Sequence, residues 1–68
     1  MRIRLDNEQL LADLLAFMRA RGCIAYLTRN DEIEVLRPTR GVAATEEIAE
    51  LLDRWSANHS EAAPKIVQ

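Results

Sequence analysis

The stretch CIAYLTRNDEIEVLRP, residues 23–38, decides the fold because it contains two short strands on either side of a tight turn. Residues 23–28 are rich in β-branched and aromatic side chains, which favour strands. Residues 32–36 alternate acidic with aliphatic side chains, the period-two pattern of a strand with one wet face. Asn30 and Asp31 tolerate positive φ, so they favour a turn between the strands. The stretch therefore predicts a β-hairpin.

Upstream of the hairpin, the sequence predicts a strand followed by a helix. Residues 2–5 alternate charged with aliphatic side chains. Large apolar side chains then recur at spacings of three and four through residues 7–21, which places them on one stripe of a helix. Asp6 is expected to be the N-cap of this helix, with Gln9 completing a capping box. Gly22 can adopt the left-handed conformation that ends it.

Downstream of the hairpin, the sequence predicts a second helix and a short final strand. Pro38 removes a backbone donor, so the preceding strand is expected to end at residue 36. Thr45 can cap a helix over residues 46–58, whose apolar side chains again recur with helical spacing. The β-prone residues 65–67 follow a loop and predict a last strand.

This order of elements is the split βαβ, or ferredoxin-like, arrangement. Right-handed crossovers then place both helices on one face of an antiparallel sheet, with the first and third strands central. We therefore expect a single α+β domain over residues 1–68, with at most a small core. The inward side chains of the two central strands would be Ile3, Leu5, Ile33 and Val35.

The length of the hairpin loop determines which face of the second strand is buried. A three-residue loop, 29–31, pairs Leu27 with Ile33. Under this register the buried side chains are Cys23, Ala25 and Leu27, and the outward ones are Ile24, Tyr26 and Thr28. A loop of two or four residues reverses the faces and buries Thr28, whose hydroxyl then needs a partner. We favour the three-residue loop. Arg2 and Arg4 would then lie beside Glu32 and Glu34 on a wet outer face.

Composition argues against several functions. Nine basic and eleven acidic residues give a net charge of −2 with no basic block, so nucleic-acid binding is not expected. One Cys and one His cannot form an internal disulfide or a four-ligand zinc site, and we expect no cofactor. No run reaches the ~20 apolar residues of a membrane helix, and no signal peptide is recognisable. We expect a soluble, cytoplasmic protein that does not bind membranes.

No catalytic constellation is apparent, so we do not expect an enzyme. Cys23 follows the negative end of the first helix, which does not favour a thiolate, and is expected to be a small core residue. His59 is expected to be an exposed residue after the second helix, and no acidic residue that could orient it is evident from the sequence. A catalytic Cys23–His59 pair is therefore the weakest functional interpretation. Trp55 is expected to be a core aromatic rather than a ligand-stacking one, and its indole N–H needs a partner that the sequence does not identify.

The strongest functional indication is the second strand, which would lie at an edge without Pro, Lys or an inward charge. The expected interaction surface consists of Ile24, Tyr26, Thr28 and Leu36. A homodimer or a small protein partner would cover its apolar atoms and compensate for the small core. We therefore expect a non-catalytic interaction or self-association module, although a monomer with a short edge is the competing interpretation.

A small-ligand regulatory domain is the alternative function. Arg37 and Arg40 precede the second helix, whose free N–H groups favour anions, so an anion or metabolite could bind near residues 37–41, with Tyr26 as a further contact. Glu46 and Glu47 already compensate the dipole of that helix, which makes a solvated loop the simpler interpretation.

Several of these residues also carry a resemblance. Gly22-Cys23 with Ala25, the run from Asp31 to Val35, Pro38, and a helix ending in Trp55 and His59 together resemble short uncharacterised proteins of Arg-rich bacterial genomes. The resemblance covers most of the chain, and it departs at Ser60, where those proteins commonly have Pro. It implies a bacterial cytoplasmic setting and no particular activity.

Overall fold

The computed structural model describes residues 1–37 and 44–67. Within them, the chain forms β1 (Arg2–Arg4), α1 (Glu8–Ala20), β2 (Ile24–Arg29), β3 (Glu32–Leu36), α2 (Ala44–Ala57) and β4 (Lys65–Val67). The four strands form one antiparallel sheet in the order β2-β3-β1-β4. The α+β class and the ferredoxin-like order are as predicted, with β1 and β3 central. The strands β2 and β4 are therefore the two edges.

One face of the sheet carries the core. Ile3, Leu5, Ile33 and Val35 are all buried, as predicted. Both helices contribute to the same cluster, with Leu11, Leu14 and Met18 from α1 and Ile48, Leu52 and Trp55 from α2. Full burial of a large apolar side chain contributes about 1.5 to 3 kcal/mol. A core of this size leaves only a small stability surplus for a domain of ~70 residues.

The helix α1 begins and ends one residue inside its predicted range of 7–21, and its N-cap differs from the prediction. Asn7, rather than Asp6, is the N-cap: its backbone is extended and its Oδ1 accepts a 3.1 Å hydrogen bond from Leu10 N. The predicted capping box is therefore wrong. At the other end, Gly22 has φ +85° and Cys23 N donates to Met18 O at 3.1 Å, which is a Schellman ending as glycine there predicts.

The hairpin has the predicted pairing but a different turn. Leu27 lies opposite Ile33, as the three-residue loop required. Arg29 also pairs with Glu32, however, so the turn contains only residues 30 and 31, and a bulge between Leu27 and Arg29 absorbs the extra residue. The predicted loop length was wrong because a bulge can restore a register that the loop alone would shift.

The prediction for β2 burial is confirmed for two residues and wrong for the third. Cys23 and Ala25 are buried at 6% and 3% exposure, whereas Leu27 is 58% exposed. Leu27 points to the helical side of the sheet, but it belongs to an edge strand, and α1 leaves an open groove beside it.

The remaining elements lie close to their predicted positions. The helix α2 begins at Ala44, so Thr45 lies inside its first turn and is not the cap. The strand β4 forms as predicted, with Val67 opposite Arg2. Ile66 is an exposed apolar residue on this second edge, at 48% exposure.

Candidate interaction surface

The free edge of β2 exposes the backbone of alternate residues. Val35 N donates to Met1 O at 2.7 Å, so the backbone groups of Val35 point toward β1 and away from β2. In an antiparallel pair, hydrogen-bonded and non-hydrogen-bonded residue pairs alternate. Ala25 lies opposite Val35, and Leu27 lies opposite Ile33 two residues along. The backbone groups of Ala25 and Leu27 therefore point to the free edge.

Arg19 binds one of these outward-facing backbone groups. Its Nε donates a 2.9 Å hydrogen bond to the carbonyl oxygen of Ala25. The edge is thus partly protected, which the sequence interpretation missed. A cation in the last turn of a helix that leads directly into an edge strand was the available signal. Outside the sheet itself, no backbone group of the described residues bonds to the backbone of Leu27.

An open groove runs along this edge between α1 and β2. Its lining consists of Glu8, Leu11, Ala12, Leu15, Leu27, Thr28, Arg29 and Asn30. The aliphatic side chains from α1 form its wall, and the exposed Leu27 lies beside them. A strand edge next to an apolar groove suits strand addition, in which backbone hydrogen bonds give affinity and side-chain pockets give specificity.

The outer face of the sheet brings three of the predicted interaction residues together. Ile24 lies directly opposite Leu36, and Tyr26 follows on the same side of β2. These side chains are 51%, 44% and 45% exposed, respectively. The apolar patch of Ile24, Tyr26 and Leu36 thus borders the free edge on the face away from the helices.

Thr28, the fourth predicted residue, belongs instead to a polar cluster around Glu32. Its Oγ1 donates to Glu32 Oε2 at 2.8 Å, and Arg4 Nη2 lies 3.4 Å from Glu32 Oε1. Glu32 is only 4% exposed, so the prediction of a fully wet outer face is wrong at this position. The Thr28 hydrogen bond lowers the pKa of Glu32 most; burial opposes it, and the charges of Arg29, Arg4 and Arg2 reinforce it.

The expected opposite-charge pair between Arg2 and Glu34 is present. The two residues are partners across β1 and β3, and Arg2 Nε lies 3.9 Å from Glu34 Oε1. Such a pair contributes about 0.2 to 1 kcal/mol. Near β1, the outer face therefore carries opposite charges that neutralise each other. Near the end of β2 next to Leu36, it is apolar.

The predicted anion contact Arg37 is engaged within the chain. Its Nη1 donates to Arg21 O at 2.9 Å, and its Nε lies 2.5 Å from Glu47 Oε2. Its pKa is raised mainly by the contact of Nη1 with the Cys23 sulfur, against burial and with help from the charge of Glu47. Arg40 and Gly41, the other residues of this prediction, lie outside the described residues.

His59 is held between the two helices rather than fully exposed. Its ring stacks on Trp55 with centroids 4.2 Å apart, and its Nδ1 lies 2.8 Å from Trp55 O. Its Nε2 lies 3.3 Å from Asp13 Oδ2, the same oxygen that accepts the Trp55 indole N–H at 2.8 Å. Trp55 is 1% exposed, as expected for a core aromatic.

The contacts of Cys23 and His59 involve different residues. Cys23 is buried as a free thiol and contacts Arg37, whereas the side-chain partners of His59 are Asp13 and Trp55. The structure thus gives no contact between Cys23 and His59 over residues 1–37 and 44–67. Over the same part of the chain, no cluster of three or more His, Cys, Asp or Glu side chains could hold a metal ion.

Comparison with known proteins adds no assignment. No protein-family model, no curated protein and no solved structure matches the chain. Neither α1 nor the described α2 has the length and apolar character needed to cross a bilayer.

Proposed function

We propose that the chain is a non-catalytic self-association module that acts in the cytoplasm through the free edge of β2 and the adjoining apolar patch of Ile24, Tyr26 and Leu36. The proposal rests mainly on the orientation and exposure of Leu27. Its backbone points to the free edge, and its side chain is 58% exposed beside an apolar groove. An edge of this kind is a template for a further strand.

The energetics favour association over isolation. The exposed apolar side chains concentrate on and beside β2: Ile24, Tyr26, Leu27 and Leu36 all exceed 40% exposure. Removing apolar surface from water contributes about 25 cal/mol per Å². A second chain at this edge would cover part of this apolar surface and add to a core that is small for independent stability.

Sedimentation equilibrium tests the proposal. We expect the wild-type chain to form a dimer at micromolar concentration, and Tyr26→Lys to yield a folded monomer, because a lysine on an edge strand disfavours pairing with a second strand. Ile66→Lys is the matched control, since Ile66 is an equally exposed apolar residue on the opposite edge. A monomeric wild type, or a dimeric Tyr26→Lys variant, would contradict the proposal.

A small-ligand regulatory domain is the second candidate. One observation favours it: a shallow groove lined by Arg21, Arg37, Glu47, Glu50, Leu51 and Arg54. Its two carboxylates pair with two of its three guanidinium groups, Glu47 with Arg37 and Glu50 with Arg54, and Arg21 lies over the Phe17 ring. This compensation places the ligand function second. A thermal-shift panel of nucleotides, amino acids and inorganic phosphate tests it, and a flat response across the panel would contradict it.

A further inference from the structure

We infer that the partner at the free edge is a second copy of this chain, paired antiparallel to β2 about a twofold axis at Leu27, with the two α1 helices side by side. This inference rests on the proposed self-association and adds the register of the strands and the contacts of the helices.

The open backbone groups select the register. In an antiparallel sheet, a residue opposite its own symmetry mate can exchange both N–H···O bonds with it. Leu27 has both groups directed to the free edge. A twofold axis at Tyr26 would instead pair Leu27 with the partner subunit's Ala25, whose carbonyl would have to give up Arg19. The axis at Leu27 leaves the Arg19–Ala25 bond in place, and it brings the two exposed leucine side chains together.

The exposed side of α1 is complementary to itself in this arrangement. Glu8, Ala12 and Leu15 line the groove, and Arg19 bonds to the edge strand one turn further on. These residues are spaced four, three and four apart, so they form one helical stripe. When a second copy of the stripe runs in the opposite direction, Glu8 meets the partner subunit's Arg19, and Ala12 meets the partner subunit's Leu15. Opposite charges thus meet at both ends, and a small residue meets a large one in the middle.

The strand and helix contacts share one axis. The centre of the helical stripe lies between residues 13 and 14, about 8 Å along α1 from Arg19 at ~1.5 Å per residue. The Nε of Arg19 bonds to the carbonyl oxygen of Ala25, so this end of the stripe lies near Ala25. The same distance along β2 is two to three residues at ~3.3 Å each, which reaches about residue 27. A twofold axis through Leu27 therefore also passes near the centre of the stripe.

Disulfide trapping tests the register in a Cys23→Ala background. We expect Leu27→Cys to form a covalent dimer under mild oxidation, because opposed residues of a bonded pair have Cα atoms ~5.5 Å apart, within disulfide range. Tyr26→Cys should cross-link far less, since it would face the partner subunit's Thr28. Cross-linking of Tyr26→Cys alone, or a dimer trapped by neither cysteine, would overturn this inference while leaving self-association intact. A monomeric chain would overturn both.

Charge exchange tests the helix contact. Glu8→Arg and Arg19→Glu should each raise the dimer Kd by about 10-fold, because each puts like charges together at two symmetric positions. The double variant should recover part of the wild-type affinity, since it restores the opposite-charge pairs but not the Arg19–Ala25 bond. Asp53→Arg, which makes the same charge change as Glu8→Arg at an exposed position of α2, controls for net charge. A double variant no tighter than the weaker single variant would contradict the helix contact.

Discussion

The indole N–H of Trp55 donates a 2.8 Å hydrogen bond to the carboxylate of Asp13, across 42 residues of sequence. The same oxygen lies 3.3 Å from His59 Nε2, and the imidazole ring stacks on the indole. Asp13 thus ties α1 to the end of α2 and provides the polar partner that a buried tryptophan requires.

Removal of the Asp13 carboxylate should therefore destabilise the fold. We expect Asp13→Ala to lower the free energy of unfolding by about 1 to 3 kcal/mol, because it leaves a buried N–H without an acceptor. Asp13→Asn, which keeps an acceptor oxygen, should cost less. Urea unfolding measures both, with Asp53→Ala as the control at an exposed acid. Equal stability of Asp13→Ala and Asp53→Ala would contradict this role.

The lowered pKa of Glu32 predicts acid sensitivity with a definite sign. The folded state holds the carboxylate charged through Thr28 and the neighbouring arginines, so its pKa lies below the ordinary value of 4.5. A depressed folded pKa contributes stability above the unfolded pKa, and this contribution is lost as the pH falls through the folded value. Glu32→Gln should therefore flatten the dependence of unfolding free energy on pH below about 4.5.

Thr28→Val tests whether the Thr28 hydrogen bond causes the lowered pKa of Glu32. It removes the hydrogen bond that lowers the pKa most and keeps the shape of the side chain, so it should flatten the same part of the pH profile. Glu46→Gln, which removes an exposed carboxylate outside this cluster, is the comparison variant for the loss of one negative charge. If Glu32→Gln and wild type lose stability in parallel as the pH falls below about 4.5, the Glu32 carboxylate does not stabilise the fold in this way.

Gly22 ends α1 in a left-handed conformation, which predicts a purely conformational cost of substitution. A Cβ at Gly22 would meet no atom within 4 Å, but φ is +85°. Gly22→Ala should thus lower the free energy of unfolding by about 1 kcal/mol. Ala63, with φ 47°, is the converse case, and Ala63→Gly should be neutral or stabilising. Chemical denaturation of both variants checks this, and a neutral Gly22→Ala would contradict it.

Much of the fold could be predicted because its determinants are local. The alternation in residues 32–36 and the helical spacing in residues 7–21 each define one face, and the sheet order then follows from connection rules. The exposure of Leu27 and the burial of Glu32 could not be predicted this way. Both depend on how far α1 extends over an edge strand and on which side chains fold over the outer face.

The candidate interaction surface could likewise be predicted only in part. Ile24, Tyr26 and Leu36 could be placed together from the hairpin register alone. The bond from Arg19 to Ala25 depends on the position of the last turn of α1 relative to β2, and it makes the backbone of Leu27 the open part of the edge. Tertiary placement, rather than local pattern, thus determines where a partner strand would bind.

Amide hydrogen exchange of Leu27, measured residue by residue in the wild-type chain, reports directly on whether β2 pairs with a second chain. The Leu27 N–H faces the free edge, so it should exchange quickly in dilute protein and slow down as rising concentration drives β2 to pair with its mate. The Tyr26 amide, which faces β3, should be protected throughout. If the Leu27 amide still exchanges quickly at concentrations where sedimentation shows a dimer, β2 is not the dimer contact.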